Sequence, residues 1–115
     1  MASKVQAIVD AAENLGILGE GEKLPSYESD DLSRAYTEVY AELQALRLTT
    51  WAETANIPDQ YSWSVAMLMA EQRMVKYKVP TNRVIELVQG GATAMMKIRA
   101  LQARSKMGQT EIEYF

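Results

Sequence analysis

The sequence predicts an all-α fold: a small bundle of four helices, a long acidic loop after the first, and an extended C-terminal arm. Three observations predict it. Apolar residues recur at three- and four-residue spacing in four separate segments, which is the period of a helix face and not of a strand. Gly16, Pro58 and Pro80 fall at the joints between those segments. The 115 residues, 48% apolar and 23% charged, have the size and balance of one domain around one core.

Ser3 is a natural N-cap for the first helix, whose expected stripe is Val5, Ile8, Val9, Ala12 and Leu15 before a stop at Gly16. A second helix is expected from about Ser29, with Asp30 and Asp31 in its first turn at the positive end of the dipole. Its stripe reads Leu32, Ala35, Tyr36, Val39, Leu43 and Leu46. The third opens at Ile57-Pro58-Asp59 and carries Tyr61, Val65, Ala66, Leu68, Met69, Ala70, Met74 and Tyr77, a face wider than a surface helix needs. The fourth, capped by Thr81, is read on Ile85, Val88, Ala92, Met95, Met96 and Leu101. These helices form a body over residues 1–104, and the pattern fades through Ser105, Gly108 and Gln109.

The connections differ in kind. Gly16 to Glu28 is rich in glycine and acid and reads as an exposed loop. Leu48 to Ile57 contains Trp51 and reads as a packed corner. Lys78-Val79-Pro80-Thr81 is a tight turn that makes helices three and four antiparallel neighbours. Beyond the body, residues 105–115 end in Thr110-Glu111-Ile112-Glu113-Tyr114-Phe115, whose β-favouring side chains have no local sheet to pair with. Such a segment suits an arm that adds a strand to a partner or places its aromatic rings in a pocket.

Composition excludes most enzyme chemistry. There is no histidine and no cysteine, so the usual zinc ligands, Ser-His and Cys-His pairs and disulfides are absent from the sequence. The chain is read as a non-enzyme without metal or cofactor. Glu28, Asp30 and Asp31 lack the alternation and the glycine of a calcium loop. Gly19-Glu20-Gly21-Glu22-Lys23 lacks the spacing of a phosphate loop, and its glutamates would repel phosphate. The longest apolar run, Val65 to Ala70, is far shorter than the roughly 20 residues of a membrane span. Met1-Ala2-Ser3-Lys4 is not the start of a signal peptide, and a cytoplasmic site of synthesis is expected.

Charge is divided along the chain. Residues 1–60 hold eleven acidic and four basic side chains, net −7, and residues 61–115 hold four acidic and eight basic, net +4. A subunit of this kind is steered toward opposite charge, including that of its own neighbour. The basic run from Arg73 to Lys106 ends two helices, where cations also stabilise the dipole. Met67, Met69, Met74, Met95 and Met96 cluster on helices three and four. Trp63, Met67 and Met74 lie partly off the main stripe, which points to contact with another subunit. Gly90-Gly91 inside helix four costs about 1 kcal/mol per glycine relative to alanine and calls for a close helix approach or a bend.

The order of elements, with Ile57-Pro58-Asp59-Gln60-Tyr61 opening the helix Val65-Ala66-Met67-Leu68-Met69-Ala70-Glu71, adds a family reading. Together with Arg83-Val84-Ile85-Glu86-Leu87 and Ala94-Met95-Met96-Lys97-Ile98-Arg99, it resembles the helical head-to-tail adaptors of tailed bacteriophages. These are also called head-completion, connector or packaged-DNA-stabilisation proteins. The likeness covers residues 5 to 101 and is a pattern of helices rather than a chemical signature.

The resemblance implies a virion protein of the phage neck, made in the host cytoplasm. Its homo-oligomeric ring, of about twelve copies, would sit under the portal protein, extend the DNA channel and dock a tail or stopper protein. It also implies a portal-binding arm at Thr110, Glu111, Ile112, Glu113, Tyr114 and Phe115. The candidate subunit interface is Trp63, Met67, Met74, Asp30, Asp31, Arg73 and Lys76; Arg83, Lys97 and Arg99 are candidates for facing packaged DNA without reading its sequence. The alternative class is a small helical regulatory or DNA-associated cytoplasmic protein.

Overall fold

Helix α1 (Lys4–Leu15) starts where Ser3 accepts a 3.1 Å hydrogen bond from the Gln6 N–H. It ends at Gly16, whose φ of +77° is the left-handed conformation that closes a helix. The other three helices share a different start, because each of the chain's three prolines stands directly before one. Helix α2 (Ser26–Ala45) follows Pro25, α3 (Asp59–Arg73) follows Pro58, and α4 (Thr81–Glu113) follows Pro80. Proline needs no N–H partner, its φ is already near that of a helix, and its carbonyl opens the ladder. Pro25 O accepts from Ser29 N, Pro58 O from Tyr61 N, and Pro80 O from Arg83 N and Val84 N. The computed structural model describes residues 3–18 and 23–113, with side chains through Ala103.

The all-helical class and the four-helix count hold for the described residues. Two helix starts differ from expectation. Helix α2 begins at Ser26, before the expected Ser29, because Pro25 and not the first apolar residue sets its start; Asp30 and Asp31 therefore lie beyond the first turn. Thr81 is the first residue of α4, and Pro80 takes the capping position. Helix α4 is assigned through Glu113, past the point where the sequence pattern fades. The backbone of Thr110–Glu113 belongs to α4, while the side chains from Arg104 onward and all of Tyr114 and Phe115 lie outside the described residues, and with them the contacts expected of the arm at Thr110–Phe115. Residues 19–22 of the acidic loop lie outside them as well.

Helix α3 is the centre of the bundle. It packs against each of the other three helices, which explains its wide apolar circumference: Tyr61, Val65, Ala66, Met69 and Ala70 are all buried. Around it sit Ala7, Ile8, Ala11, Ala12 and Leu15 of α1 and Leu32, Ala35, Tyr36, Val39, Tyr40 and Leu43 of α2. Leu87, Ala94 and Ile98 of α4 complete the core.

The corner between α2 and α3 is pinned by aromatic hydrogen bonds. The Tyr40 hydroxyl donates to the Trp51 carbonyl at 2.7 Å, and Trp51 Nε1 donates to the Tyr36 hydroxyl at 3.1 Å. The Trp51 ring lies 5.0 Å from that of Tyr61 at the start of α3. The expected packed corner is therefore present. Two left-handed residues without a glycine's freedom turn the chain out of α2 and after α3, Arg47 at φ 59° and Lys78 at φ 52°.

Helices α3 and α4 run antiparallel. Trp63, early in α3, meets Lys97, late in α4, whereas Met67 and Glu71, further along α3, meet Gly90 and Gly91, earlier in α4. A β-carbon on Gly90 would come within 2.7 Å of Met67 Sδ, and one on Gly91 would fall inside the Glu71 carboxylate. The glycine pair makes room for the side chains of Met67 and Glu71.

Tyr36→Phe removes the acceptor for the buried Trp51 Nε1–H and should cost about 1–3 kcal/mol. Urea unfolding followed by tryptophan fluorescence measures this, and an unchanged midpoint would show that the corner does not depend on that bond.

Candidate interaction surface

Helix α4 is apolar on two sides, and the side toward the core is not the one that the sequence pattern selects. Of the stripe expected to be buried, Ile85 is 55%, Val88 46% and Met96 71% exposed. Ala92 is also exposed, whereas Met95 and Leu101 are half-buried. The buried residues are Leu87, Gly91, Ala94 and Ile98, from nearly the opposite side of the helix. The small residues Gly91 and Ala94 bring α4 close to α3, and closeness buries more contact than the larger side chains would from farther out. Two smaller corrections have the same origin: Val5 of α1 and Leu46 of α2 are exposed, while Ala7, Ala11 and Tyr40 are buried.

The outward stripe Ile85, Val88, Ala92 and Met96 follows helical spacing and has no cover among the described residues. At one flank, Trp63 of α3 is 44% exposed, with Lys97 Nζ over its ring at 4.3 Å. A cation–π contact of that kind contributes about 0.5–1 kcal/mol at an exposed site and holds the indole in place. Met67 is half-buried against Gly90 beside it. Two residues from different candidate groups, Trp63 and Lys97, are thus brought together.

The charged candidates fare differently. Asp31, Arg73 and Lys76 converge on one another within the chain. Lys76 Nζ donates to Asp31 Oδ1 at 2.7 Å, and the Tyr77 hydroxyl donates to Oδ2 at 2.8 Å. Arg73 Nε lies 3.4 Å from Oδ2 without hydrogen-bond alignment, and its NH1 reaches Glu38 at 3.1 Å. Gln72 also donates to Glu38. This cluster ties α2 to α3 and to the turn after it.

Burial pushes the Asp31 carboxyl up. The hydrogen bonds from Lys76 and Tyr77, with the charges of Arg73 and Lys76, outweigh that and hold it below the ordinary carboxylate range. Burial and the Asp31 carboxylate push the Tyr77 hydroxyl well above its usual value. Asp31 is covered by these partners rather than lying deep in the core. Asp30, next to it, is exposed.

Arg83 is also engaged. Its Nε and NH2 donate to the Asn14 carbonyl at 3.0 and 2.8 Å, near the C-terminus of α1, and its NH1 meets Glu86. A guanidinium there satisfies a carbonyl that the helix end leaves free. Arg99 is exposed and forms no ion pair among the described residues. Met74 is half-buried in a cleft on the other flank of α4.

Among the described residues no group of three or more acidic side chains is arranged to hold a metal ion, and no helix is long and apolar enough to cross a membrane. Compared with protein-family models, with curated proteins and with solved structures, the chain matches none.

Ile85→Asp and Met96→Asp, on a face that contributes nothing to the core, should change folding stability by no more than about 0.5 kcal/mol. Thermal melts of each variant check this; a large loss would place the stripe inside the folding unit.

Asp31 behaves in the opposite way. Because its folded pKa is depressed, its contribution is complete above its unfolded value of about 3.9 and disappears as pH falls through the lower folded value. Asp31→Asn should therefore cost about 1–2 kcal/mol at neutral pH and flatten the acid limb of stability below about pH 4. Denaturation across that range is the measurement.

Proposed function

We propose that the chain is a structural protein of the tailed-phage neck, a head-to-tail adaptor. Its copies would close into a ring under the portal, extend the DNA channel and dock the tail or a stopper protein. The observation that carries this reading is the outward stripe Ile85, Val88, Ala92 and Met96 on a body whose core is complete without it, with Trp63 exposed under Lys97 as a second apolar site. A contiguous apolar face of this kind on a small domain marks a surface for other chains. The family resemblance supplies the identity of those chains.

In this reading the contact between neighbours is heterologous, one face of a subunit on a different face of the next, which closes into a ring when the rotation permits. The two lateral faces would be the α4 stripe and the exposed Trp63. Asp31, Arg73 and Lys76, satisfied within the chain, serve the body. Lys97 and Arg99 are the exposed cations that would meet packaged DNA through its phosphates, while Arg83 holds α4 to α1. Thr110–Phe115, carried at the end of α4, is the portal-binding segment, and weak binding by each copy suffices when many act on one ring.

Electron microscopy of the purified protein mixed with portal rings tests the assignment. The expected result is a portal capped by an added ring, with Met96→Asp abolishing the added density while the variant stays folded. Removal of residues 109–115 should leave helicity and melting unchanged and abolish capture by portal. Bare portals with the full-length chain would reject the adaptor reading. Salt-sensitive binding to duplex DNA in its place would favour a small DNA-associated protein.

A further inference from the structure

On the flank of α4 away from Trp63, helices α2, α3 and α4 enclose a cleft of about 500 Å³. Most of its wall is apolar: Val39, Leu43, Leu68, Met74, Val88 and Met95. Into it come two carboxylates, Glu71 from α3 and Glu42 from α2. Glu71 Oε2 is fully buried and accepts no hydrogen bond from any described residue. It is sealed against Gly91, where any side chain would displace it.

A carboxylate seated this way is costly. Burial, and then the neighbouring charge of Glu42, push the Glu71 carboxyl above its ordinary value. The loss is avoided when a counter-charge enters, since an ion pair in a partly dry cleft is screened less than one in open water. No described cation stands there. Arg73, the basic residue nearest in sequence, points to Asp31 and Glu38.

We propose that this cleft is a binding site for a single organic cation on an aliphatic stem, the side chain of an arginine or lysine presented by a partner polypeptide. Its charged head would meet the Glu71 carboxylate where that side chain lines the cleft, with Oε2 held behind it against Gly91 and Glu42 adding to the negative field, and its methylene stem would lie along Leu68, Met74, Val88 and Met95. A polypeptide side chain fits better than a free polyamine, because the walls offer one buried seat for charge and apolar surface beyond it. The exposed Lys78 and Arg99 show that such side chains are present on the chain's own copies. The site shares Val88 with the outward stripe, but its test reads Met74, Met95 and Glu71, so its failure is distinguishable from that of the adaptor reading.

The test is an NMR titration of the folded protein with n-butylguanidinium and n-butylammonium, observed at the methionine methyl groups. Saturable shifts are expected at Met74 and Met95, which line the cleft, and not at the outward-facing Met96. The Glu71 carboxyl should titrate at lower pH when the ligand is bound. Glu71→Gln, which keeps the shape and removes the charge, should weaken binding by about tenfold or more.

Gly91→Ala gives an independent check. The atom it displaces is the end of a flexible side chain, so the fold should survive with Glu71 swung out of the cleft and binding lost. Equal binding of the neutral 1-pentanol, or unaltered binding by Glu71→Gln, would overturn the proposal in favour of a simple apolar pocket. Absence of shifts at Met74 and Met95 would overturn it outright. Tighter binding of spermidine than of n-butylguanidinium would overturn the polypeptide source.

Discussion

At Gly90 and Gly91 the space of a side chain is taken by Met67 and Glu71 of α3, and the packing of α4 on α3 along this line organises the rest of the molecule. Helix α3 touches three neighbours at once and buries most of its apolar circumference against them. Helix α4 can join only by coming near, and it comes near along its smallest residues, with Leu87 and Ile98 on either side of Gly91 and Ala94. Once that side is used, the bulkier apolar residues of α4 are left facing outward. The exposed stripe is therefore a consequence of packing geometry as much as of composition.

The same contact shapes both flanks of α4. On one, Gly90 admits Met67, and Trp63 lies under Lys97, which holds the indole in place. On the other, Gly91 admits the Glu71 carboxylate and seals one oxygen away from water, leaving a charge at the base of an apolar cleft. One helix pair thus produces a surface suited to apolar contact and a recess suited to a cation. The separation of charge along the sequence, by contrast, is largely reconciled inside the chain near Asp31. There Arg73 and Lys76 meet a carboxylate from α2 and fasten the end of α3.

Much of this was legible in the residues. Ser3 and Gly16 bracket α1, and the Trp51 corner and the turn at Pro80 lie where their side chains and ring constraints require. The start of α2 was legible too, through Pro25, since the other two prolines also stand directly before helices; the apolar pattern, which begins at Leu32, hides it. The inversion of α4 was not legible in periodicity, because both of its sides repeat at helical spacing. Weighting small residues as the contact side, with Gly90-Gly91 as the clue, is the reasoning that reaches the observed face. The pairing of Asp31 was not legible either, because its partners Arg73, Lys76 and Tyr77 lie more than forty residues away.

By itself, then, the sequence determined that the chain is helical and where most helices begin, because caps, prolines and 3.6-residue spacing act over only a few residues. It also determined, through the absence of histidine and cysteine, which side-chain chemistries are closed to the chain. Only the tertiary structure decided which side of α4 is inside, which charges are already answered, and that Glu71 lies at a cleft without a partner among the described residues. Those outcomes depend on how near two helix axes can come, and the distance of approach is set jointly by residues far apart in the chain, such as Gly91 and Glu71.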